Sequence, residues 1–254
     1  MSLTKRDKSK ADRSPIEICV APATILRFGV PVIFAIVVAG ALANAAMFQW
    51  IQDPEAGLFK LLKRFDLTTE PSLPSWFSSI VIVGCSVLLG VIAVGKFKVR
   101  DRFRFHWFGL SVLFLLLGLD EGIMIHEMLV SPTKAMLNTS GIFSIAWIIP
   151  GSLFVLVVGF VFLNFVLNLP PYFRKRIIAA GVIFLTGAIL MEMPGGVLYE
   201  KYGFETWHYI TSYAIEEFLE MFAMLWFATI LMRYLDEGFC EVRFRAEVEG
   251  ASQQ

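Results

Sequence analysis

Charged side chains are scarce in this chain. They make up 17% of its 254 residues, against about 25% in a soluble domain. Neither sign prevails, since 22 basic residues face 22 acidic ones and the formal net charge is +0. That balance excludes a nucleic-acid binder built on a basic face. Cysteine is also rare. Cys19, Cys85 and Cys240 lie far apart, which excludes a disulfide-stapled mini-protein, and no pair among them is placed for a disulfide. There is no internal repeat, glycine-rich phosphate loop, CxxC or GxSxG motif. The low polarity excludes a disordered chain as well.

Apolar sequence takes the place of what is missing. Hydrophobic residues reach 57% and the mean hydropathy is +0.68. Crossing about 30 Å of hydrocarbon at about 1.5 Å per residue takes a helix of roughly 20 residues. Six segments qualify: Ile25–Met47, Phe77–Val94, Trp107–Ile125, Ile142–Leu167, Ile177–Leu198 and Tyr213–Leu231. Each is apolar all round, as a lipid-embedded helix should be. The expected fold is therefore all-α, a six-helix multi-pass bundle over residues 25–235 with tails at 1–24 and 236–254. Its first partner is the lipid bilayer.

Lysine and arginine set the expected orientation, because basic loops stay cytoplasmic. Lys5, Arg6, Lys8, Lys10 and Arg13 precede the first span. Lys96, Lys98, Arg100, Arg102 and Arg104 fill the second loop, Arg174, Lys175 and Arg176 the fourth, and Arg243 and Arg245 the C-terminal tail. The third and fifth loops hold Lys134 and Lys201 alone. Both termini are expected to be cytoplasmic, in a plasma (inner) membrane. The first span lacks the small-residue cleavage motif of a signal peptide and is expected to stay. The first outer loop, 51–76, departs from the pattern with Lys60, Lys63 and Arg64, which Asp53, Glu55, Asp66 and Glu70 offset. Within it Leu58, Leu61, Leu62 and Phe65 share a helical face, and Pro71 and Pro74 follow. That suits a short amphipathic helix on the membrane surface or a plain covering helix. Trp107, Trp147, Trp207 and Tyr209 suit interfacial belts.

Carboxylates inside the spans are the chemical signal. The third span ends Leu119-Asp-Glu-Gly-Ile-Met-Ile-His-Glu127, the fifth holds Met191-Glu-Met-Pro-Gly-Gly196, and the sixth opens Tyr213-Ala-Ile-Glu-Glu-Phe-Leu-Glu220. The alternating topology brings all three to one level, in the outer half. Asp120 and Glu127, seven apart, share a stripe if the helix continues, while Glu121 and His126 point elsewhere. Glu216, Glu217 and Glu220 share one face. A carboxylate at mid-bilayer costs about 2.5–3.5 kcal/mol on insertion scales. No Lys or Arg lies in the outer half of any span, so water, protons or a cation must offset these charges. Pro194-Gly195-Gly196 ends or breaks the fifth helix just beyond Glu192, with an end favoured.

Three functions fit. The first is a carboxylate and histidine metal site for iron, manganese or zinc, with Glu121, His126, Glu127, Glu192, Glu217 and Glu220 as ligands. Asp120, Glu216 and His208 are supporting or alternative ligands. Such a site would serve a membrane metalloenzyme, a hydrolase or oxidoreductase, acting on a lipid or a small extracytoplasmic molecule. The second is a cation- or proton-coupled transporter or sensor using the same acids. Against a through-path, the inner halves offer little beyond Asn164, Asn168, Thr186 and Thr229. The third, haem between paired histidines, would have to use His126 and His208, because His106 lies at the opposite end.

Glu217-Phe-Leu-Glu220 partly resembles the Glu-x-x-His element of di-iron carboxylate bundles, with Glu standing where that pattern has His. The Leu-x-Asp-Glu…His-Glu and Glu-Glu-x-x-Glu pattern resembles uncharacterised bacterial polytopic membrane proteins. The first likeness implies a di-metal bundle; the second implies no activity.

Overall fold

The protein is described by a computed structural model, which covers residues 21–51, 53–69, 72–203 and 205–238. The tail lysines and arginines, Cys19, Cys240, Glu70 and Pro71 lie outside the described residues. The described chain is helical. Its elements are α1 (Pro22–Gln49), α2 (Gly57–Leu62), α3 (Leu73–Lys98), α4 (Arg104–Ile123), α5 (Val130–Leu137), α6 (Ile148–Leu167), α7 (Pro171–Leu185), α8 (Glu192–Tyr202) and α9 (Trp207–Gly238). A π-helical turn over Thr186–Met191 joins α7 to α8 into one run. Six of these units are long and apolar enough to cross a membrane: α1, α3, α4, α6, the α7–α8 run and α9.

Local chemistry sets several boundaries. Pro22 and Pro171 sit in the first turns of α1 and α7, where a missing N–H removes no hydrogen bond. The Ser72 hydroxyl caps α3 by accepting from the Ser75 backbone N–H at 3.4 Å. α4 stops at Ile123 because Met124 turns left-handed, with φ 56°. The expected stripe joining Asp120 to Glu127 is therefore broken. The fourth span starts at Ile148 rather than Ile142, because a 3-10 turn at Gly141–Phe143 occupies the approach. The sixth helix starts earlier than expected, at Trp207.

α9 is the axis of the bundle. Its 32 residues span about 48 Å, and α1, α3, α7, α8 and the π turn all pack on it. Ile33 and Val37 of α1 meet Met221 and Leu225 of α9. α3 and α4 form a close hairpin. Ser86 Oγ donates to the Ser111 carbonyl at 2.7 Å, and Ser111 Oγ donates to the Ser86 carbonyl at 2.9 Å. Hydroxyls bonded across small-residue contacts replace the hydrophobic drive that lipid cannot supply. Cys85 is buried in α3, its thiol toward the Met224 carbonyl at 3.5 Å.

Trp107 is not a belt residue. It is 2% exposed, wedged between Phe165 and Tyr234 in the core at the basic end. Trp207, at 53% exposure, is placed as a belt residue would be. The 51–76 loop carries a shorter helix than its apolar spacing suggested. α2 gives way to a 3-10 turn at Lys63–Phe65, and Leu58 and Leu61 are exposed. Asp66 is no solvated counter-charge. It is buried, accepting from Asn44 Nδ2 at 2.7 Å, the Thr68 N–H at 2.8 Å and both threonine hydroxyls at 2.9 Å. Asn44 Oδ1 accepts from the Leu67 N–H at 3.0 Å. One buried amide thus pins the loop to α1.

Candidate carboxylate site

The acids of α4, α8 and α9 meet through a device that the hydrophobic pattern does not reveal. The fifth span continues through Pro194-Gly195-Gly196 to Tyr202, so the helix neither ends nor breaks there. Its irregularity lies earlier, in the π turn ending at Met191. Proline at 194 has no N–H to donate and crowds the carbonyl one turn back; a wide turn upstream relieves both. Thr186 Oγ1 bonds the Val182 carbonyl at 2.8 Å, which also loosens a regular helix.

Gly187, inside that turn, lets α9 come close. A Cβ there would lie 2.7 Å from Glu220 Cγ and 3.0 Å from the Glu216 carbonyl. Gly196 plays the same part against the 3-10 turn before α6, where a Cβ would meet Ser144 Oγ and the Gly141 carbonyl.

Glu192 and Glu216 are each 7% exposed. Trp147 Nε1 donates to Glu192 Oε1 at 3.1 Å. Glu192 Oε2 and Glu216 Oε2 are buried without a hydrogen-bond partner. The two acids lie within electrostatic reach of each other, and Glu121, Glu217 and Glu220 also bear on Glu216. His126 and Glu127 bear on Glu192. Tyr209 and Tyr213, with ring centroids 4.7 Å apart, lie within electrostatic reach of both acids.

Asp120 turns inward on its own chain. Its carboxylate accepts from the His126 backbone N–H at 2.9 Å and contacts His126 Nδ1 at 2.9 Å. The His126 ring meets Trp147 edge to face, with centroids 4.9 Å apart. Asp120, His126, Trp147 and Glu192 thus form a connected chain from α4 to α8.

The candidate residues therefore divide. Glu121, Glu192, Glu216, Glu217 and Glu220 share one electrostatic neighbourhood, with His126 at its edge. Glu127 is exposed at its rim, bearing on Glu192 alone among the buried acids. His208 is exposed and stacks on Tyr202, with centroids 5.1 Å apart. Glu200, exposed in the last turn of α8, accepts the Gly141 N–H at 2.9 Å. Among the described residues, no three His, Cys, Asp or Glu side chains are arranged to hold a metal ion. Trp147 and Tyr213 carry contacts that sequence reading missed. Both are aromatic residues near a span end, and that position alone suits a membrane belt equally well.

The polar residues toward the other end bond to their own helices. Asn168 Nδ2 donates to Asn164 Oδ1 at 3.0 Å and to its carbonyl at 2.7 Å. Thr229 Oγ1 donates to the Trp226 carbonyl at 2.7 Å. His106 packs among Phe103, Phe162 and Phe165. No curated protein and no solved structure matches the chain. A profile described as Domain of unknown function (DUF8692) matches residues 30–234, from α1 to α9, and the chain belongs to that family.

Proposed function

We propose that this protein holds and releases a proton, or a small cation in its place, at Glu192 and Glu216, as a membrane sensor or proton-coupled carrier. One observation carries the reading. Two nine-tenths-buried carboxylates from different spans lie within electrostatic reach of each other, each with an oxygen that has no hydrogen-bond partner. Two such groups cannot both hold full negative charge in a low-dielectric interior without a counter-charge. A proton is the smallest counter-charge. Trp147 fixes Glu192 Oε1 and leaves Oε2 as the exchanging atom. Glu127 on the exposed side, with His126 behind it, offers the way in. By the basic loops, this site faces away from the cytoplasm.

A site reached from one side fits better than a continuous path, because Asn168, Thr186 and Thr229 spend their side chains on their own helices. Divalent iron, manganese or zinc chemistry has less support, since the sequence-predicted ligands divide among three settings. The test is infrared difference spectroscopy of the purified protein across a pH titration. A protonated-carboxyl band is expected in wild type and should vanish in Glu216→Gln. Its absence from wild type would overturn the proposal. Proteoliposomes with an internal pH dye then separate the two roles: proton entry lost in Glu216→Gln marks a carrier, and none in wild type marks a sensor.

A further inference from the structure

Toward the basic end, α4, α6, α7 and α9 line a cavity of about 130 Å³. Its lining includes Trp107, Phe162, Phe165, Ile177, Gly181 and Phe227. Apolar cavities of this size do not hold water. In a bilayer the hydrocarbon at hand is a lipid acyl chain. α6, which lines the cavity with Phe162, Phe165 and Val166, is otherwise little covered by the bundle, with Leu156 and Phe160 at 70% and 82% exposure.

Charge around the cavity's end selects among lipids. Arg104 precedes Trp107 by three residues on α4, and Arg174 precedes Ile177 by three on α7, so each lies on the same helical face one turn nearer the basic end. Among the described residues neither is ion-paired with a carboxylate. Arg104 lies over the rings of Phe97 and Phe105, and Arg174 Nη1 donates to the Leu167 carbonyl at 2.8 Å. Along α4, His106 lies between Arg104 and the lining residue Trp107, its ring stacked on Phe165 and edge-on to Phe162. His106 Nδ1 is buried with no hydrogen-bond partner.

We infer that this is a binding site for an anionic phospholipid. A few carbons of one acyl chain fill the cavity, an ester or glycerol oxygen meets His106 Nδ1, and the phosphate sits between Arg104 and Arg174. The hydrocarbon slot, the orphan polar atom and the uncompensated cations follow the order of tail, linkage and headgroup along a lipid.

The experiment is native mass spectrometry of the full chain in detergent, with phosphatidylglycerol and phosphatidylcholine added separately. Wild type should retain phosphatidylglycerol in preference. A Cβ at Gly181 would meet no atom within 4 Å, so Gly181→Leu fills the cavity and should reduce retention of both lipids about tenfold. Arg104→Gln with Arg174→Gln alters the helix ends instead and should leave binding while erasing the preference. Undiminished retention by Gly181→Leu would overturn the inference. So would equal retention of the two lipids by wild type, or a preference unchanged in the double arginine variant.

Discussion

Asp120 grips His126 twice, at its backbone nitrogen and at its ring, both at 2.9 Å. The grip spans the left-handed Met124 that ends α4, so one carboxylate fixes both the close of a helix and the pose of the ring beside Trp147. Asp120→Ala should therefore destabilise the protein by about 1–2 kcal/mol, toward the low end for charged hydrogen bonds because the pair is partly solvated. Hydrogen exchange should rise across residues 124–130. Exchange unchanged there would show that the turn holds without Asp120.

Gly187 is a spacing residue for the carboxylates. Gly187→Ala should cost about 1–3 kcal/mol by overpacking against Glu216 and Glu220, read as a lower melting temperature in detergent. Gly181→Ala, in open space on the same span, should be neutral or raise stability by about 0.5–1 kcal/mol. Equal effects at the two positions would refute the close-approach argument.

Asn44 is the pin beneath the 51–76 loop. Asn44→Ala leaves Asp66 buried with one donor fewer and the Leu67 N–H unpaired, a loss of about 1–3 kcal/mol. Limited proteolysis should then cut faster between Asp53 and Thr69, with the spans left intact.

Glu192 and Glu216 should behave as a coupled pair. Glu192→Gln and Glu216→Gln should each be neutral or stabilising, since each removes a buried acid from beside another. The double variant should differ from the sum by about 0.5–3 kcal/mol. Strict additivity in thermal unfolding would mean that the two side chains do not sense each other.

The bundle was legible because apolar length is a strong and redundant signal. All six spans were foreseen, and Cys85 sits inside its span as expected. The ends were less legible. Whether α4 ran on to Glu127 depended on the backbone of Met124, a residue with no turn signature in its side chain. That spans three, five and six each carry carboxylates at a similar level followed from topology and charge; which of those side chains come together did not. The role of Trp147 did not, because an indole near a span end looks the same whether it faces headgroups or a carboxylate. Pro194 signalled an irregular helix correctly but misplaced it: the helix yields upstream of the proline, at Thr186–Met191.

That wide turn also changes how the fifth span should be compared with its kin. It accommodates one residue more per hydrogen-bonded loop than its surroundings, so the side chains beyond it are rotated off the stripes projected from α7. A relative lacking one residue in this stretch would close it into regular α-helix and keep its glutamate on the same face, whereas one that kept the length but not the wide turn would rotate its glutamate away. Within this family, whether the length of the 186–191 segment is matched by its wide turn is therefore as informative about the acidic chamber as the presence of the acids themselves.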